Sequence, residues 1–448
     1  AAHELIVRTN RLALTTDPVL QMNSHDEEFF GQITRQKWED VKVDPGRDSH
    51  NRLLTGYNWL AKEIHSYFGQ HPGEEGRFLQ WLAEGAQFVQ IDSEDEDSAF
   101  TLFECLNDRG LALTTADIIK NFLFSKIGNP LDDAIRQWDE VLDNVGQDAT
   151  KSFLRHDWIT REGYIEEKLV LRRVKQVIQT RDQASEYLAC LEDLAPFYAF
   201  LVDPSGGEQS KSDFGVAVKA IAGFGTTAYY PLFLALEKNR SAFEERRFGE
   251  MMKHLAQFVE SHAFRYYVVA GLQSGKLGGA VGVAALRLAR AKTVLEANSG
   301  LDVLRDLDVE DNVISDAIGR MRVTQKLASY MWGKAEHAQN SKMKAGASMR
   351  VVRVMPKKPH ASWANISPEV QKEYADVIGN FVLAGGKAKV RENMAFSEKR
   401  AYLQKSECST NKELDSLASW GPQEVRARSA QLGTKARDIW PSTTHLKL

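Results

Sequence analysis

Apolar residues recur at every third or fourth position along most of the chain, which is the spacing of amphipathic helices. In residues 130–145, PLDDAIRQWDEVLDNV, they form one stripe, and Pro130 suits the first turn of the predicted helix. The same spacing predicts six further helices, at Arg161–Ile178, Gln183–Leu201, Thr226–Asn239, Phe243–Ala270, Gly278–Ala297 and Asp311–Trp332. These segments predict a mainly α-helical body.

Three short apolar runs predict strands, at Phe88–Ile91, Val351–Met355 and Phe381–Leu383. Two of the three lie in the last quarter of the chain, ahead of a helix predicted from about Phe396. The predicted fold class is therefore mainly α, with a helical body followed by a small α+β C-terminal domain.

Polar stretches indicate where the chain divides. Asp203–Asp213 (DPSGGEQSKSD) is a loop by composition, and Gln339–Ser348 (QNSKMKAGAS) is polar and basic. We place the main boundary near residues 335–345, with a helical body over 1–335 and a second domain over 336–448. No repeat of about 20 to 50 residues is visible, which argues against a solenoid.

The charge balance changes sign at that boundary. The 448-residue chain carries 57 Lys and Arg against 61 Asp and Glu, a net charge of −4. From Ser341 onward the count is 19 against 10, or +9, which leaves 38 against 51, or −13, for the first 340 residues. A basic domain points to nucleic acid, because Lys and Arg neutralise phosphates. A basic surface that serves solubility, or that docks on the acidic part of the same chain, is an equal alternative.

The composition excludes several other classes of protein. Hydrophobic residues make up 43% and charged residues 26%, which is typical of a globular protein and not of a disordered or collagenous one. The cysteines, Cys105, Cys190 and Cys408, have neither a zinc-binding spacing nor that of a disulfide framework. We find no apolar run of about 18 residues and no signal-peptide pattern, so we expect a cytoplasmic protein without a membrane span.

The segment Gly271–Leu277 (GLQSGKL) invites comparison with a phosphate-binding loop. That loop needs a glycine five residues before Gly275, where Ala270 stands, and a Ser or Thr after Lys276, where Leu277 stands. A helix cap or a loop between helices is the better interpretation.

The segment Phe103–Lys126, FECLNDRGLALTTADIIKNFLFSK, is the densest motif of the chain. Its pattern predicts a helix that ends at Arg109 and Gly110, then a turn and a second helix opened by Thr114 or Thr115. An Asp in the first turn of that helix, Asp117, is favoured by the helix dipole. On physical grounds alone, a corner between two helices held by hydrogen bonds of Asn107, Arg109 and Asp117 explains the pattern.

The same segment resembles the internal signature F-E-x-L-N-x-R-G-x-x-L-T-x-x-D-x-x-K-N of GmrSD-type modification-dependent restriction proteins, a group that includes SspE-like anti-phage effectors. The matching residues are Phe103, Glu104, Leu106, Asn107, Arg109, Gly110, Leu113, Thr114, Asp117, Lys120 and Asn121. The C-terminal quarter is also similar to the family's nuclease ending, through Gly379, Asn380, Phe396, Lys399, Trp420, Arg428, Leu432, Ile439, Trp440 and Pro441.

The resemblance implies a function. Family members combine a ParB-like, nucleotide-handling N-terminal part with a C-terminal nuclease of the His-Me-finger (HNH) type, which has a ββα-like fold. It therefore implies NTP-linked cleavage or nicking of double-stranded, modified DNA for phage defence, with NTP and Mg²⁺ or Mn²⁺ as cofactors. The oligomeric state is left open, with a homo-oligomer as one alternative. In this family the signature faces the nucleotide-handling domain, which makes Asn107, Arg109, Asp117 and Lys120 candidates for nucleotide or domain contacts.

The chain departs from the family at the sites that carry the chemistry. The family's D-G-Q-Q-R motif occurs nowhere in it, so the chain is either a fragment or a member that lost that half-site. The catalytic histidine of the family's E-H-I-x-P string corresponds to Arg353, which cannot accept a proton. A metal-binding asparagine corresponds to Lys389, with Asn393 as the rival. Cations at these positions repel a metal, and we expect an inactive finger without a metal site.

The remaining candidates concern DNA and substitute histidines. The segment Ser341–His360 holds six cations and no acid. Of the six, Lys342, Lys344, Arg350, Lys357 and Lys358 are the candidates for DNA binding. Trp363 either stacks on a base or belongs to the core. His360 and His337 are expected at the surface or in hydrogen bonds, away from the first strand's end. The two hypotheses are thus an NTP-linked DNA-cleaving restriction protein and a catalytically inactive DNA-binding or regulatory subunit.

Overall fold

The computed structural model describes residues 7–10, 15–18, 22, 26–34, 43–85, 114–272, 274–340, 350–384, 390–405 and 408–448. The chain divides into two units, Ala1–Ala99 and Phe100–Leu448. Across the described ranges there are 20 α-helices and two sheets of two strands each. This confirms the predicted fold class, a helical body with a small α+β C-terminal domain. No helix in the same ranges is long and apolar enough to cross a membrane.

The first unit begins with an antiparallel hairpin, β1 (Val7–Asn10) and β2 (Thr15–Pro18). The hairpin was not among the predicted strands, because VRTN and TTDP are too short and polar to show a strand pattern. Among the described residues of this unit three helices follow, α1 (Glu27–Thr34), α2 (Asp48–Gln70) and α3 (Glu75–Gly85). The predicted strand Phe88–Ile91 lies outside the described residues.

The second unit opens with a long succession of helices, of which those up to Arg305 bury a common apolar core. In chain order they are α4 (Thr115–Ile127), α5 (Asp132–Val145), α6 (Gln147–Glu162), α7 (Val170–Val177), α8 (Arg181–Val202), α9 (Asp213–Gly223), α10 (Tyr230–Lys238), α11 (Glu245–Ala263), α12 (Ser274–Arg290), α13 (Val294–Gly300), α14 (Asp302–Arg305), α15 (Asp311–Gly319) and α16 (Gln325–Gln339). A π-helix, Phe264–Val269, continues α11.

Three predicted helices are interrupted. The helix predicted over Gly278–Ala297 divides between Arg290 and Val294, where Thr293 caps the following helix. The helix predicted over Arg161–Ile178 ends at Glu162, because Gly163 adopts a left-handed φ of +87° and closes α6. The helix predicted over Asp311–Trp332 breaks after Gly319. There Met321 accepts from Ile378 and Val323 donates to Asp376 through backbone hydrogen bonds.

Three further predictions concern Pro130, the segment around Gly271 and the loop Asp203–Asp213. Pro130 precedes α5, which begins at Asp132, so it does not lie in the first turn as expected. The segment around Gly271 separates the π-helix from α12, and Gly271 has a φ of +63°, which confirms a loop between helices. The predicted loop Asp203–Asp213 is a loop with one 3-10 turn, Gln209–Lys211.

The C-terminal part of the second unit contains the small α+β domain, which we call the finger. Its strands, β3 (Arg350–Arg353) and β4 (Phe381–Ala384), pair antiparallel with Arg353 opposite Phe381. Both strands and the helix from Phe396 lie where the sequence predicted them. The remaining α-helices of the described ranges are α17 (Pro368–Tyr374), α18 (Phe396–Leu403), α19 (Pro422–Thr434) and α20 (Ala436–Ile439).

The finger and the helices before it share an apolar core. Trp332 of α16 and Ile314 of α15 are buried together with Phe381 of β4 and Trp440 at the end of the chain. The Trp440 ring stacks on Phe264 with a centroid distance of 4.1 Å. A separate core within the finger closes its two strands onto α18 and α19. The finger is thus packed directly on the helical body, and the predicted boundary near 335–345 stays a prediction.

Candidate nucleic-acid interface

The end of β3 carries Arg353, the residue for which the sequence resemblance predicts the position of the family's catalytic histidine. Arg353 is the last residue of the strand, and its guanidinium lies 5.0 Å from the centre of the Phe381 ring on β4. Two residues further on, the backbone amide of Met355 donates to the side-chain oxygen of Asn380 at 2.8 Å. Because this hydrogen bond goes to a side chain and not to the backbone of β4, the strand ends at Arg353. The Arg353 side chain is 15% exposed, so its environment is largely set by protein groups.

One carboxylate holds Arg353. Asp376 Oδ1 accepts from Arg353 Nε at 3.1 Å and from Nη2 at 2.8 Å, and its Oδ2 accepts from Lys357 Nζ at 2.9 Å. Arg322 Nη2 lies 4.0 Å from the same Oδ2. We call these four residues, Arg322, Arg353, Lys357 and Asp376, the strand-end cluster.

The charges of the cluster fix the protonation state of its acid. Partial burial alone would raise the pKa of Asp376, but the hydrogen bonds from Lys357 and Arg353 outweigh it, so the pKa lies below its usual range. Glu392 adds a second carboxylate, 3.7 Å from Arg353 Nη1, and accepts from the Lys357 amide at 3.1 Å. Three cations against two carboxylates leave a positive net charge at the end of the strand.

This arrangement does not fit a divalent metal. Mg²⁺ and Mn²⁺ are held by oxygen ligands whose negative charge is free to face the ion. At the strand end both carboxylates, Asp376 and Glu392, already contact Arg353 and Lys357. Nowhere in the described ranges do three or more His, Cys, Asp or Glu side chains form a group that could hold a metal. The metal that the resemblance implies therefore has no ligand set here.

A buried lysine fastens the loops around the strand end. Lys399 of α18, the lysine of the F-x-x-K match, donates to the carbonyl oxygens of Arg353, Val354 and Glu392 at 3.0, 2.6 and 2.5 Å. Burial lowers the pKa of Lys399 to about 8, against an opposing effect of Glu392. Its ammonium group therefore points at neutral carbonyls inside the finger and serves the fold.

The Gly379-Asn380 pair fixes the start of β4. Asn380 Oδ1 also accepts from Trp420 Nε1 at 3.1 Å, and Asn380 Nδ2 donates to the Met355 carbonyl at 2.9 Å. A Cβ on Gly379 would lie 2.1 Å from the carbonyl oxygen of Val425 in α19, which no side chain tolerates. The family-like residues at these positions therefore build the finger and do not face a substrate.

The predicted site residues fall into different places. Lys358 and Asn393 are exposed, and Arg350 on β3 donates to the Val390 carbonyl at 2.9 Å. The candidates Lys342, Lys344 and Lys389 lie outside the described residues. Of the predicted basic residues, the structure brings together Arg353 and Lys357, through Asp376.

The contacts and exposure of Trp363, His360 and His337 decide between the alternatives for these candidates. Trp363 is buried and its Nε1 donates to the Met394 carbonyl at 2.9 Å, so it belongs to the core and does not stack on a base. His360 is exposed, with its Nδ1 accepting from the Ser362 amide at 3.2 Å, and His337 is exposed on α16. Neither lies on β3, as expected.

Of the N-terminal signature, the part from Thr114 onward lies within the described residues. Thr114 caps α4, with its Oγ1 accepting from the Asp117 amide at 3.2 Å, and Asp117 Oδ2 accepts from the Thr114 amide at 3.1 Å. Of the two threonines proposed for this role, Thr114 is the cap. Asn107 and Arg109 lie outside the described residues, so the contact group that they form with Asp117 and Lys120 stays a prediction.

Sequence reasoning missed two members of the strand-end cluster, Asp376 and Arg322. Arg322 belongs to a segment predicted as continuous helix, and Asp376 lies 23 residues beyond Arg353 without a motif around it. The one available signal was the run of cations in Ser341–His360 with no acid beside them, since any of these cations that the fold buries needs a counter-charge from elsewhere in the chain.

Two family models match this chain, and both describe restriction endonucleases. One is the N-terminal domain of the GmrSD restriction endonuclease, matched by residues 12–124, and the other is the C-terminal domain of GmrSD restriction endonucleases, matched by residues 308–435. Together they cover more than half of the chain. The protein therefore belongs to the GmrSD family, which confirms the resemblance found in the sequence. No curated protein matches the chain.

Proposed function

We propose that this protein is a DNA-targeting restriction protein for phage defence whose finger binds the DNA backbone and does not cut it by a histidine and metal mechanism. The restriction function rests on the family. The absence of cutting rests on one observation, the ion pair between Arg353 and Asp376 at the position of the family's histidine.

The chemical argument concerns the general base. Hydrolysis of a phosphodiester at a finger of this type needs a group that takes a proton from water, beside a metal that stabilises the developing charge. A guanidinium stays protonated at any working pH and has no acceptor. The carboxylate nearest to it, Asp376, is bound by Arg353 and Lys357, so neither part of the mechanism is supported at the strand end.

The argument for DNA binding concerns charge and exposure. Lys357 of the strand-end cluster and its neighbour Lys358 are exposed, and they belong to a segment of six cations without an acid. Arg and Lys side chains on one surface attract phosphates without regard to sequence. Lys342 and Lys344 of the same segment are proposed to contribute to this surface.

A second candidate function is the full activity of the family, NTP-linked cleavage of modified DNA. The observation in its favour is that both family models match, in the expected order. On that proposal the nucleotide is handled by the N-terminal part, where Asn107, Arg109, Asp117 and Lys120 make the contacts. The metal, Mg²⁺ or Mn²⁺, would need ligands other than the strand-end cluster.

A nicking assay on supercoiled plasmid with Mg²⁺ or Mn²⁺ separates the two. We expect no metal-dependent nicking by the unaltered chain. We also expect none from Arg353→His or Lys389→Asn alone, because each leaves either the base or the metal ligand missing, and detectable nicking only from the double variant.

The outcome against the proposal is nicking by the unaltered chain. If replacement of His360 or His337 abolished such nicking, the replaced histidine would be the active one, and the alignment of Arg353 with the family's catalytic histidine would be wrong. Thermal unfolding of each variant, compared with the unaltered chain, shows that a silent variant is folded.

A further inference from the structure

We propose that Arg322, Arg353 and Lys357 form a single binding site for one phosphate of the DNA backbone, and that Asp376 competes with that phosphate for the same three cations. This inference rests on the proposed DNA binding and adds to it a specific phosphate site and an internal competitor. Neither Arg322 nor Asp376 is part of the basic segment, so the site extends beyond the cations that the sequence singled out.

The first step of the argument is convergence. Each of the three cations has a nitrogen atom within 4.0 Å of an oxygen of one carboxylate, although Arg322 is distant in sequence from the segment that holds Arg353 and Lys357. Arg322 is placed there by its own contacts, since its guanidinium donates to the carbonyl oxygens of Glu373 and Lys372. The cations are therefore held around a common point by the fold.

The second step is chemical similarity. A phosphodiester presents two unesterified oxygens that share one negative charge, much as a carboxylate presents two oxygens that share one charge. The planar fork of arginine and the ammonium of lysine are the groups that bind phosphate oxygens in proteins. A site that holds the carboxylate of Asp376 by such groups is chemically suited to a backbone phosphate.

The third step is access. The side chains of Arg322 and Lys357 are 52% and 58% exposed, whereas that of Asp376 is 20% exposed. A phosphate can reach the two outer cations from solvent without unfolding of the finger. Arg353, at 15% exposure, is the inner member of the site.

The fourth step is the effect of the carboxylate on binding. Asp376 neutralises part of the positive charge and repels a phosphate that approaches the same nitrogens. Its removal leaves three cations against Glu392 alone. If Asp376 acts only to position Arg353, its removal weakens DNA binding; if it competes with phosphate, its removal strengthens DNA binding. The two roles therefore predict opposite signs.

The test is Asp376→Asn, which removes the charge and keeps an oxygen that accepts hydrogen bonds. We expect duplex DNA of arbitrary sequence to bind about ten-fold more tightly than to the unaltered chain. The matched control is Asp415→Asn, an exposed acid of the same domain, with less than a two-fold effect. The double-logarithmic salt slope should steepen by about 1, as expected for one additional phosphate neutralised.

A second pair of variants keeps the inference testable if Asp376→Asn does not fold. Arg322→Gln should weaken DNA binding several-fold, whereas Arg320→Gln, an exposed neighbour two residues away, should have little effect. Equal effects of the two arginine substitutions, or weaker binding by Asp376→Asn than by its control, overturn the inference.

Two further outcomes separate this inference from the proposed function. If the unaltered chain binds no DNA at low salt, the proposed function itself fails. If inorganic phosphate displaces the DNA no more strongly than sodium chloride at equal ionic strength, DNA binding does not involve a phosphate-selective site, and this inference fails while the proposed DNA binding stands.

Discussion

Arg353 and Lys399 are two of the cations near the end of β3, and they differ in the groups that hold them. Arg353 contacts a carboxylate that is itself bound by Lys357. Lys399 contacts three neutral carbonyl oxygens in the interior of the finger. One cation is therefore part of a charged surface and the other is part of the core.

The role of Lys399 gives a prediction about stability. Lys399→Met removes the donor from one buried and two partly buried carbonyl oxygens, and each unsatisfied buried group costs about 1–3 kcal/mol before relaxation. We expect the free energy of unfolding to fall by about 2–4 kcal/mol in urea denaturation. Lys405→Met, which removes an exposed lysine of the same domain, should change it by less than about 0.5 kcal/mol. Equal effects of the two substitutions would contradict a structural role for Lys399.

The pKa of Lys399 adds a pH dependence to the same measurement. Its folded-state pKa of about 8 lies below the ordinary value of 10.5, so the folded protein releases this proton first. The unfolded chain then binds more protons between those two values, and stability from this group rises with pH across that window. The stability difference between the unaltered chain and Lys399→Met should therefore grow from pH 8 to pH 10.

Single residues also show how far the sequence could predict the site. Arg353 was singled out by the string around it, and the structure places it at the end of β3, whereas the predicted strand extended to Met355. Asp376 could not be found, because its contact with Arg353 depends on the tertiary packing of residues 23 apart and on no local pattern. Trp363 could be assigned to the core only once its hydrogen bond to Met394 was visible.

At the scale of elements, the finger was more predictable than the breaks in the helices. The sequence patterns that predict β3, β4 and α18 lie within each element itself, and the structure contains all three elements. The break after Gly319 depends on backbone hydrogen bonds from residues 376–378, which are far along the chain. Hydrophobic periodicity shows which face of a segment is buried. It does not show whether a distant segment forms hydrogen bonds with the backbone of that segment.

The segment after β3 provides a prediction for the DNA surface. Lys357→Glu combined with Lys358→Glu should weaken duplex binding to a similar degree for all sequences, because phosphates carry no sequence information. The double-logarithmic salt slope should become shallower by up to about 0.9 for each phosphate that the protein no longer neutralises.

The control for this prediction is Lys405→Glu combined with Lys412→Glu, which makes the same charge change on exposed lysines of the same domain. Binding by unaltered protein that does not respond to salt would show that the basic segment is not an interface. A weakening confined to one DNA sequence would instead indicate base contacts.

At the scale of the whole second unit, the finger is anchored to the helical body at several points. Asp308 accepts from Arg265 of the π-helix at 2.9 Å and from the Thr443 amide of the C-terminal segment at 2.7 Å. Arg265 also donates to the Trp440 carbonyl at 3.1 Å. These contacts and the shared apolar core join the finger to the helices, so DNA held by the finger is also held close to the body.

The most direct measurement follows both the binding and the topology of supercoiled plasmid, mixed with the unaltered chain and Mg²⁺ or Mn²⁺ over a range of salt concentrations. We predict that the plasmid is bound at low salt, that binding falls steeply as salt rises, and that the DNA recovered from every reaction is still supercoiled. Metal-dependent conversion to nicked circles, or no binding at any salt concentration, would contradict the account.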